Sequence, residues 1–174
     1  MSWSSAVLRW GALLLGVVLL GACGFEPLYA QRENAEAVSE LSAIKVQRID
    51  DRNGQQLRNY LLDRLNPHGQ AEKELYSLYV TLVEDRQDLA IRKDETATRA
   101  NLIMTARFVL VEIESGVRLL ESVSSVTTSF NIVRSEFATL TGENDARRRG
   151  VREISDEIRT RLALYFNGRH RPGS

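Results

Sequence analysis

The chain has 174 residues, with 23 basic and 23 acidic side chains and a formal net charge of zero at neutral pH. Because broad nucleic-acid binding needs a positive surface, this balance predicts no nucleic-acid partner. The single cysteine excludes an internal disulfide.

Residues 1–22 are typical of a bacterial secretory signal peptide. Arg9 precedes thirteen uncharged residues, WGALLLGVVLLGA, and Cys23 follows them. As a helix this segment would measure about 20 Å, too short to span a hydrocarbon core of about 30 Å. The run LGAC resembles the lipobox of bacterial lipoproteins, in which the cysteine receives diacylglycerol and becomes the first mature residue. We therefore predict lipid attachment and a membrane anchor at Cys23. The alternative is an ordinary small residue in a signal sequence or a single-pass anchor.

The next predicted elements are a tether, a strand and a helix. Residues 23–41 are mostly polar and are predicted to tether the lipid to a folded body. Alternating apolar residues predict a first strand over 42–49, and apolar residues three or four apart predict a helix over 55–66. Asp50, Asp51 and Asn53 are expected to cap the start of this helix. Pro67 and Gly69 are expected to end it.

The middle of the chain changes to a period of two, which is typical of strands with one buried face. A second strand is predicted over 76–91, with a break near 84–87. A third is predicted over 102–111, and a hairpin turn at 114–116 leads to a fourth strand over 117–131. These strands are predicted to form an antiparallel meander.

A last helix is predicted over 144–167, with Gly168 in its C′ position and a disordered tail at 169–174. Its apolar residues recur at gaps of three and four. Its other faces carry an arginine cluster, for which two interpretations stay open: a solvated face with ion pairs, or contacts with phosphate or carboxylate groups. The cluster consists of Arg147, Arg148, Arg149, Arg152, Arg159 and Arg161.

The element order β-α-β-β-β-α predicts an α+β fold, a two-layer sandwich in which both helices cover one face of a four-stranded, mostly antiparallel sheet. The domain is predicted to occupy residues 42–168. The uncovered sheet face would carry Thr, Ser, Arg and Val, and could face water or a partner.

The sequence carries no motif of a known catalytic site. It lacks a nucleophile elbow, a phosphate-binding loop and a zinc-protease motif. The two histidines, His68 and His170, lie in a predicted turn and in the tail, without a pattern that would orient a general base or hold a metal. We predict no enzyme activity, no cofactor and no metal.

Two stretches carry a family resemblance: CGFEPLYA after the lipobox, and LTGENDAR over 140–147. Together with the element order they resemble the lipopolysaccharide-assembly lipoprotein family LptE, in its alphaproteobacterial form. The resemblance implies an outer-membrane lipoprotein facing the periplasm. It would plug and assist the assembly of the LptD β-barrel and bind lipopolysaccharide during its insertion into the outer leaflet. It also implies no catalytic residue and no cofactor. Gly24, in place of the Asp that retains many lipoproteins at the inner membrane, agrees with this location.

Arg92 and Lys93, at the predicted tip of the hairpin between the second and third strands, are the candidate cations for the phosphates of lipopolysaccharide. The alternative for both is a solubilising turn. Two alternative functions also remain: an auxiliary lipoprotein of an ABC-type lipid transport system, and an enzyme anchored in the periplasm.

Overall fold

The computed structural model describes residues 39–67, 69, 71–90 and 97–169. Residues 39–42 are helical and lead into the first strand. The elements that follow are β1 (Ile44–Val46), α1 (Asp51–Leu65), β2 (Tyr76–Ala90), β3 (Ala97–Glu112), β4 (Arg118–Asn131) and α2 (Glu136–Arg169). This order confirms the predicted α+β fold.

The four strands form one sheet in the order β1-β2-β3-β4. β1 lies parallel to β2, while β2, β3 and β4 pair antiparallel, so the sheet is mostly antiparallel as predicted. Gly116 lies in the turn between β3 and β4 with φ of 69°. Glycine takes this left-handed conformation at no steric cost.

Both helices pack on the sheet face that carries the even-numbered residues of β2, β3 and β4. Each side chain removed from water here contributes about 1.5–3 kcal/mol relative to its exposed state. Tyr76 packs against Phe166 with ring centroids 5.2 Å apart, and burial raises the pKa of Tyr76 to about 12. The largest fully buried side chains of this core are Ile44, Leu57, Leu61, Leu65, Leu78, Met104, Phe108, Leu110, Ile154, Ile158 and Phe166.

α1 begins earlier and is capped differently than the sequence predicts. It starts at Asp51, four residues before the predicted 55. Asp50 holds the N-cap position but makes no side-chain capping hydrogen bond, and Asn53 donates instead to Glu84 of β2 at 3.0 Å. The helix ends at Leu65, just before the predicted stop residues.

β2 runs without interruption from Tyr76 to Ala90, so the predicted break at 84–87 is wrong. The prediction failed because Glu84 and Arg86 are charged residues at positions that face the helices. Both are paired there with charged side chains of α2. Paired charges can occupy such positions, whereas unpaired ones would be costly.

α2 is longer at both ends than the predicted 144–167. It begins at Glu136, and the hydroxyl of Ser135 accepts a hydrogen bond from the backbone N–H of Ala138 at 3.3 Å, which is the geometry of an N-cap. It continues to Arg169, so Gly168 lies inside the helix rather than at its C′ position. Among the described glycines only Gly69 and Gly116 have positive φ.

Candidate functional site

The residues predicted as functional sites lie outside the described part of the chain. These residues are Cys23, Arg92 and Lys93. The two histidines, for which no functional role was predicted, also lie outside it. β2 ends at Ala90 and β3 begins at Ala97, on either side of the predicted tip. The lipid-attachment and phosphate-contact assignments therefore stay predictions.

The described domain offers one broad polar surface, which we call the open sheet face. It consists of the odd-numbered residues of β2, β3 and β4, opposite the face on which the helices pack. Hydroxyl groups contact one another across it, and Thr105 Oγ1 lies 3.2 Å from Ser125 Oγ. Single apolar side chains stand between them: Tyr79 is 52% exposed, Val83 60% and Val123 44%. The face is thus mixed in character, neither a core nor a purely solvated surface.

Arg107 lies at the centre of the open sheet face. It stands opposite Thr81 on β2 and opposite Val123 on β4. The side chain is exposed and has no hydrogen-bond or ion-pair partner within the residues that the structure describes. The nearest carboxylate by register on β4, that of Glu121, lies 3.9 Å from the guanidinium of Arg118 instead.

A charge network joins the opposite face of the sheet to α2. Arg147 donates to both carboxylate oxygens of Glu84, at 2.7 to 3.0 Å, and to Glu143 at 2.7 Å. Its remaining donors reach Asn144 at 3.0 Å. The carboxylates raise the pKa of Arg147 above its usual value, and the largest cause is the hydrogen bonds that it donates to Glu84. Arg147 is therefore engaged inside the protein rather than available to a ligand.

Arg86 extends this network along β2. Its guanidinium donates to Glu143 at 3.0 Å and to Asp88 at 2.9 Å, and lies 5.3 Å from the ring centroid of Phe130. The hydrogen bond to Asp88 is the main cause that raises the pKa of Arg86. The ion pair with Glu143 links the C-terminal half of β2, after Glu84, to the N-terminal part of α2.

The rest of the arginine cluster of α2 is also engaged within the chain. Arg148 and Arg149 pair with Asp145, and Arg161 pairs with Glu157 and donates to the hydroxyl of Ser122. Arg152 lies over the ring of Tyr60, and Arg159 donates to the backbone carbonyl of Arg64. These partners favour the ion-pair interpretation of the cluster over ligand contacts.

The cavities and side-chain clusters of the described residues do not resemble a catalytic centre. A cavity of about 390 Å³ lies above Arg147 and is lined by polar side chains, including Arg52, Gln56 and Arg148. No group of three or more His, Cys, Asp or Glu residues suited to a metal occurs within the described ranges. Within the same ranges no helix has the length and apolarity needed to cross a membrane.

The start of α2 exposes apolar residues that the sequence analysis did not single out. Phe137 is 80% exposed, Leu140 55% and Val133 48%. Phe137 and Leu140 lie three residues apart on the helix and share one of its faces, and Val133 lies just before the helix begins. The spacing alone could have indicated a stripe, but only the fold shows that no part of the described domain covers it.

Comparisons with known proteins agree with this architecture. A protein of Rickettsia prowazekii (strain Madrid E), itself uncharacterized, is 28% identical over 154 residues, covering 88% of this chain and 95% of the relative. A crystal structure from Caulobacter crescentus CB15, assigned as a lipoprotein, superposes with a TM-score of 0.61 at 25% identity, covering 79% of this chain and 99% of that one. The rare lipoprotein B of Shewanella oneidensis shares the fold, with a TM-score of 0.53 at 14% identity over 70% of this chain and 93% of that one.

The fold is that of a small α+β domain of the bacterial lipoprotein type. The family model LptE, described as lipopolysaccharide-assembly, matches residues 41–162. The chain therefore belongs to the LptE family, a non-enzymatic family of lipoproteins with a role in lipopolysaccharide assembly. The expected family and the expected fold are both confirmed.

Proposed function

We propose that this chain is an outer-membrane lipoprotein, anchored through a lipid on Cys23 and facing the periplasm. It plugs an LptD-type β-barrel, assists the assembly of that barrel and binds lipopolysaccharide as it passes to the outer leaflet. The observation that carries the proposal is the family match over residues 41–162. The match favours this function over an auxiliary role in ABC-type lipid transport.

The surfaces of the domain support a role by contact. The lumen of an outer-membrane barrel is lined by polar groups, so a plug must offer hydrogen-bonding side chains to it. The open sheet face offers hydroxyls on three strands, including Thr81, Thr105 and Ser125. The network around Arg147 ties sheet and helix together on the other face, which keeps this surface in one shape.

Affinity purification of the full-length, lipidated chain from outer-membrane extracts tests the main proposal. We expect recovery of a large, heat-modifiable β-barrel in a stoichiometric complex. Recovery of inner-membrane permease or substrate-binding subunits instead would support the transport alternative. Depletion of the chain should also lower the amount of lipopolysaccharide that reaches the cell surface.

The anchor is tested by Cys23→Ala. Without the thiol no diacylglycerol can be attached. The variant then loses the membrane-binding free energy of its acyl chains, which is about 0.8 kcal/mol per buried CH₂. We expect the variant to lack acyl chains by mass spectrometry and to fractionate with the periplasm in cells depleted of the barrel. Persistent membrane fractionation in those cells would contradict the assignment.

The phosphate contact is tested by the double charge reversal Arg92→Glu and Lys93→Glu. Phosphates attract the native cations and repel the introduced carboxylates, so binding of purified lipopolysaccharide should fall while recovery of the barrel stays unchanged. The matched control reverses Arg48 and Lys73, two exposed cations elsewhere in the domain. Equal lipopolysaccharide binding by both double variants would remove Arg92 and Lys93 from the proposal.

A further inference from the structure

We infer that the open sheet face is the surface on which this domain docks against its protein partner, and that Arg107 receives a carboxylate of that partner at the centre of the contact. The inference rests on the proposed function, because the partner it specifies is the wall of the barrel. It assigns a surface and a residue to that contact.

The first step is the position of Arg107. It lies in the middle of the three long strands, between Thr81 and Val123, and no described side chain pairs with it. This sets it apart from the six residues of the arginine cluster of α2, which all have a partner within the chain. Its guanidinium N–H groups have no partner among the described residues, so they can donate to a group outside the described domain.

The second step is the cost of covering this residue. An exposed guanidinium is hydrated and carries no desolvation cost. A partner that covers the open sheet face removes this water. A desolvated charge without a counter-ion costs several kcal/mol, so a stable contact requires an anion opposite Arg107. A carboxylate meets the planar fork with two parallel hydrogen bonds.

The third step is the surroundings of Arg107. Tyr79, Val83 and Val123 present exposed apolar groups, while hydroxyls such as those of Thr105 and Ser125 lie between them. Protein interfaces combine apolar area with about one hydrogen bond per 100–200 Å², and Tyr and Arg are enriched among the residues that dominate binding energy. The composition of the face therefore matches a protein contact.

The fourth step is the choice of a protein over a lipid headgroup. The phosphates of lipopolysaccharide are multiply charged and favour clustered cations, whereas the residues directly opposite Arg107, Thr81 and Val123, are uncharged and the carboxylate of Glu121 lies on the same face. The face is also long and shallow. From residue 79 to residue 87 it extends about 27 Å along β2, and its outer strands are about 10 Å apart. A sheet-like wall fits this shape better than a compact headgroup.

The experiment compares Arg107→Glu with Arg52→Glu in the full-length, lipidated chain. Arg52 is an exposed arginine of α1, on the helix layer. We expect Arg107→Glu to lower recovery of the barrel by about tenfold or more, since an interfacial like-charge contact is strongly unfavourable. Arg107→Lys should lose less, and Arg52→Glu should match the wild type. Equal thermal unfolding of the variants controls for folding.

Photo-crosslinkers at Thr81 and Ser125 give a second readout, because they report proximity to the barrel without weakening its binding. We expect both positions to form adducts with the barrel. If Arg107→Glu recovers the barrel like the wild type, or if neither position crosslinks, the docking surface is wrong while the proposed function stands. Loss of lipopolysaccharide binding with the barrel retained would make the face a lipid surface and overturn the inference. If the wild type itself recovers no barrel, the proposed function fails and this inference fails with it.

Discussion

At the scale of single residues, two glycines of α2 are packed differently although both lie inside the helix. A Cβ on Gly150 would lie 2.8 Å from Met104 Sδ, which is closer than a normal contact. A Cβ on Gly142 would lie 3.7 Å from Phe130 Cβ, an ordinary van der Waals distance. A methyl group at position 150 would therefore force Met104 of β3 to shift, whereas position 142 has room for one.

This difference predicts opposite outcomes for the same substitution. Gly142→Ala should stabilise the protein by up to about 1 kcal/mol, because alanine favours the helix by about that amount. Gly150→Ala should be less stable than Gly142→Ala by about 1–3 kcal/mol, since the added methyl overpacks the fully buried Met104. Urea unfolding of both variants measures the two free energies. Equal stabilisation by both substitutions would contradict the packing argument.

At the scale of elements, an ion pair joins α1 to α2. Arg64 donates to both carboxylate oxygens of Asp156, with Nη2 at 3.0 Å from Oδ2. The hydrogen bond from Arg64 is the main cause that lowers the pKa of Asp156, and the same bond raises the pKa of Arg64. The helices also pack through apolar side chains, so this pair adds to a joint that exists without it.

The lowered pKa gives this joint a pH dependence. The unfolded pKa of Asp is about 3.9, and stability gained from a depressed folded pKa is present above that value and lost as pH falls through the folded pKa. Asp156→Asn should cost at most about 1 kcal/mol at pH 7, because the carboxylate is 58% exposed and screened.

We expect the difference in unfolding free energy between wild type and Asp156→Asn to stay constant down to about pH 5 and to vanish near pH 2. Urea unfolding across this pH range measures it. Glu153→Gln, which changes an exposed carboxylate on the same helix, serves as the control and should differ little from the wild type at any pH. A difference that grows toward low pH would have the wrong sign and reject the pairing argument.

The element scale also shows what could be predicted from the sequence. Alternation predicted which residues of β3 share a face, and the 3.6-residue period predicted the buried face of α2 from Val151 to Leu162. The continuity of β2 through Glu84 and the start of α2 were missed because they depend on each other. Glu84 is tolerated at a helix-facing position because Arg147, 63 residues later in the chain, forms a hydrogen-bonded ion pair with it. Local patterns carry no information about such a pairing.

The candidate site divides in the same way. The open sheet face could be predicted, because its odd-numbered residues follow from the alternation that marks the strands. The lack of a described partner for Arg107 could not be predicted, since it depends on the strand register that places Thr81 and Val123 beside it. The lipid-attachment prediction at Cys23 depends on a local motif and needs no fold at all.

At the scale of the whole molecule, the apolar interior formed by the described residues divides into two clusters of unequal size. The main core joins both helices to β1 and to the near half of the sheet. The second cluster contains only Ala100, Leu102, Phe130 and Ala146, with Ile132 packed against it. So small a cluster gives the far half of the sheet little stability of its own. The network of Arg147 therefore has to contribute to holding this half against α2.

This division predicts a local effect of Glu84→Gln. The substitution removes the charge that faces Arg147, whose side chain is only 21% exposed, and should cost about 1–2 kcal/mol, or a factor of about 5–30 in the local opening equilibrium. Native-state hydrogen exchange should show this acceleration at amides of residues 85–89 and 99–102, and much less at residues 77–81 and 105–109. Asp85→Asn, which changes the neighbouring carboxylate on the open sheet face, should leave both regions unchanged. Uniform acceleration along the whole of β2 would instead mean that both clusters open as one unit.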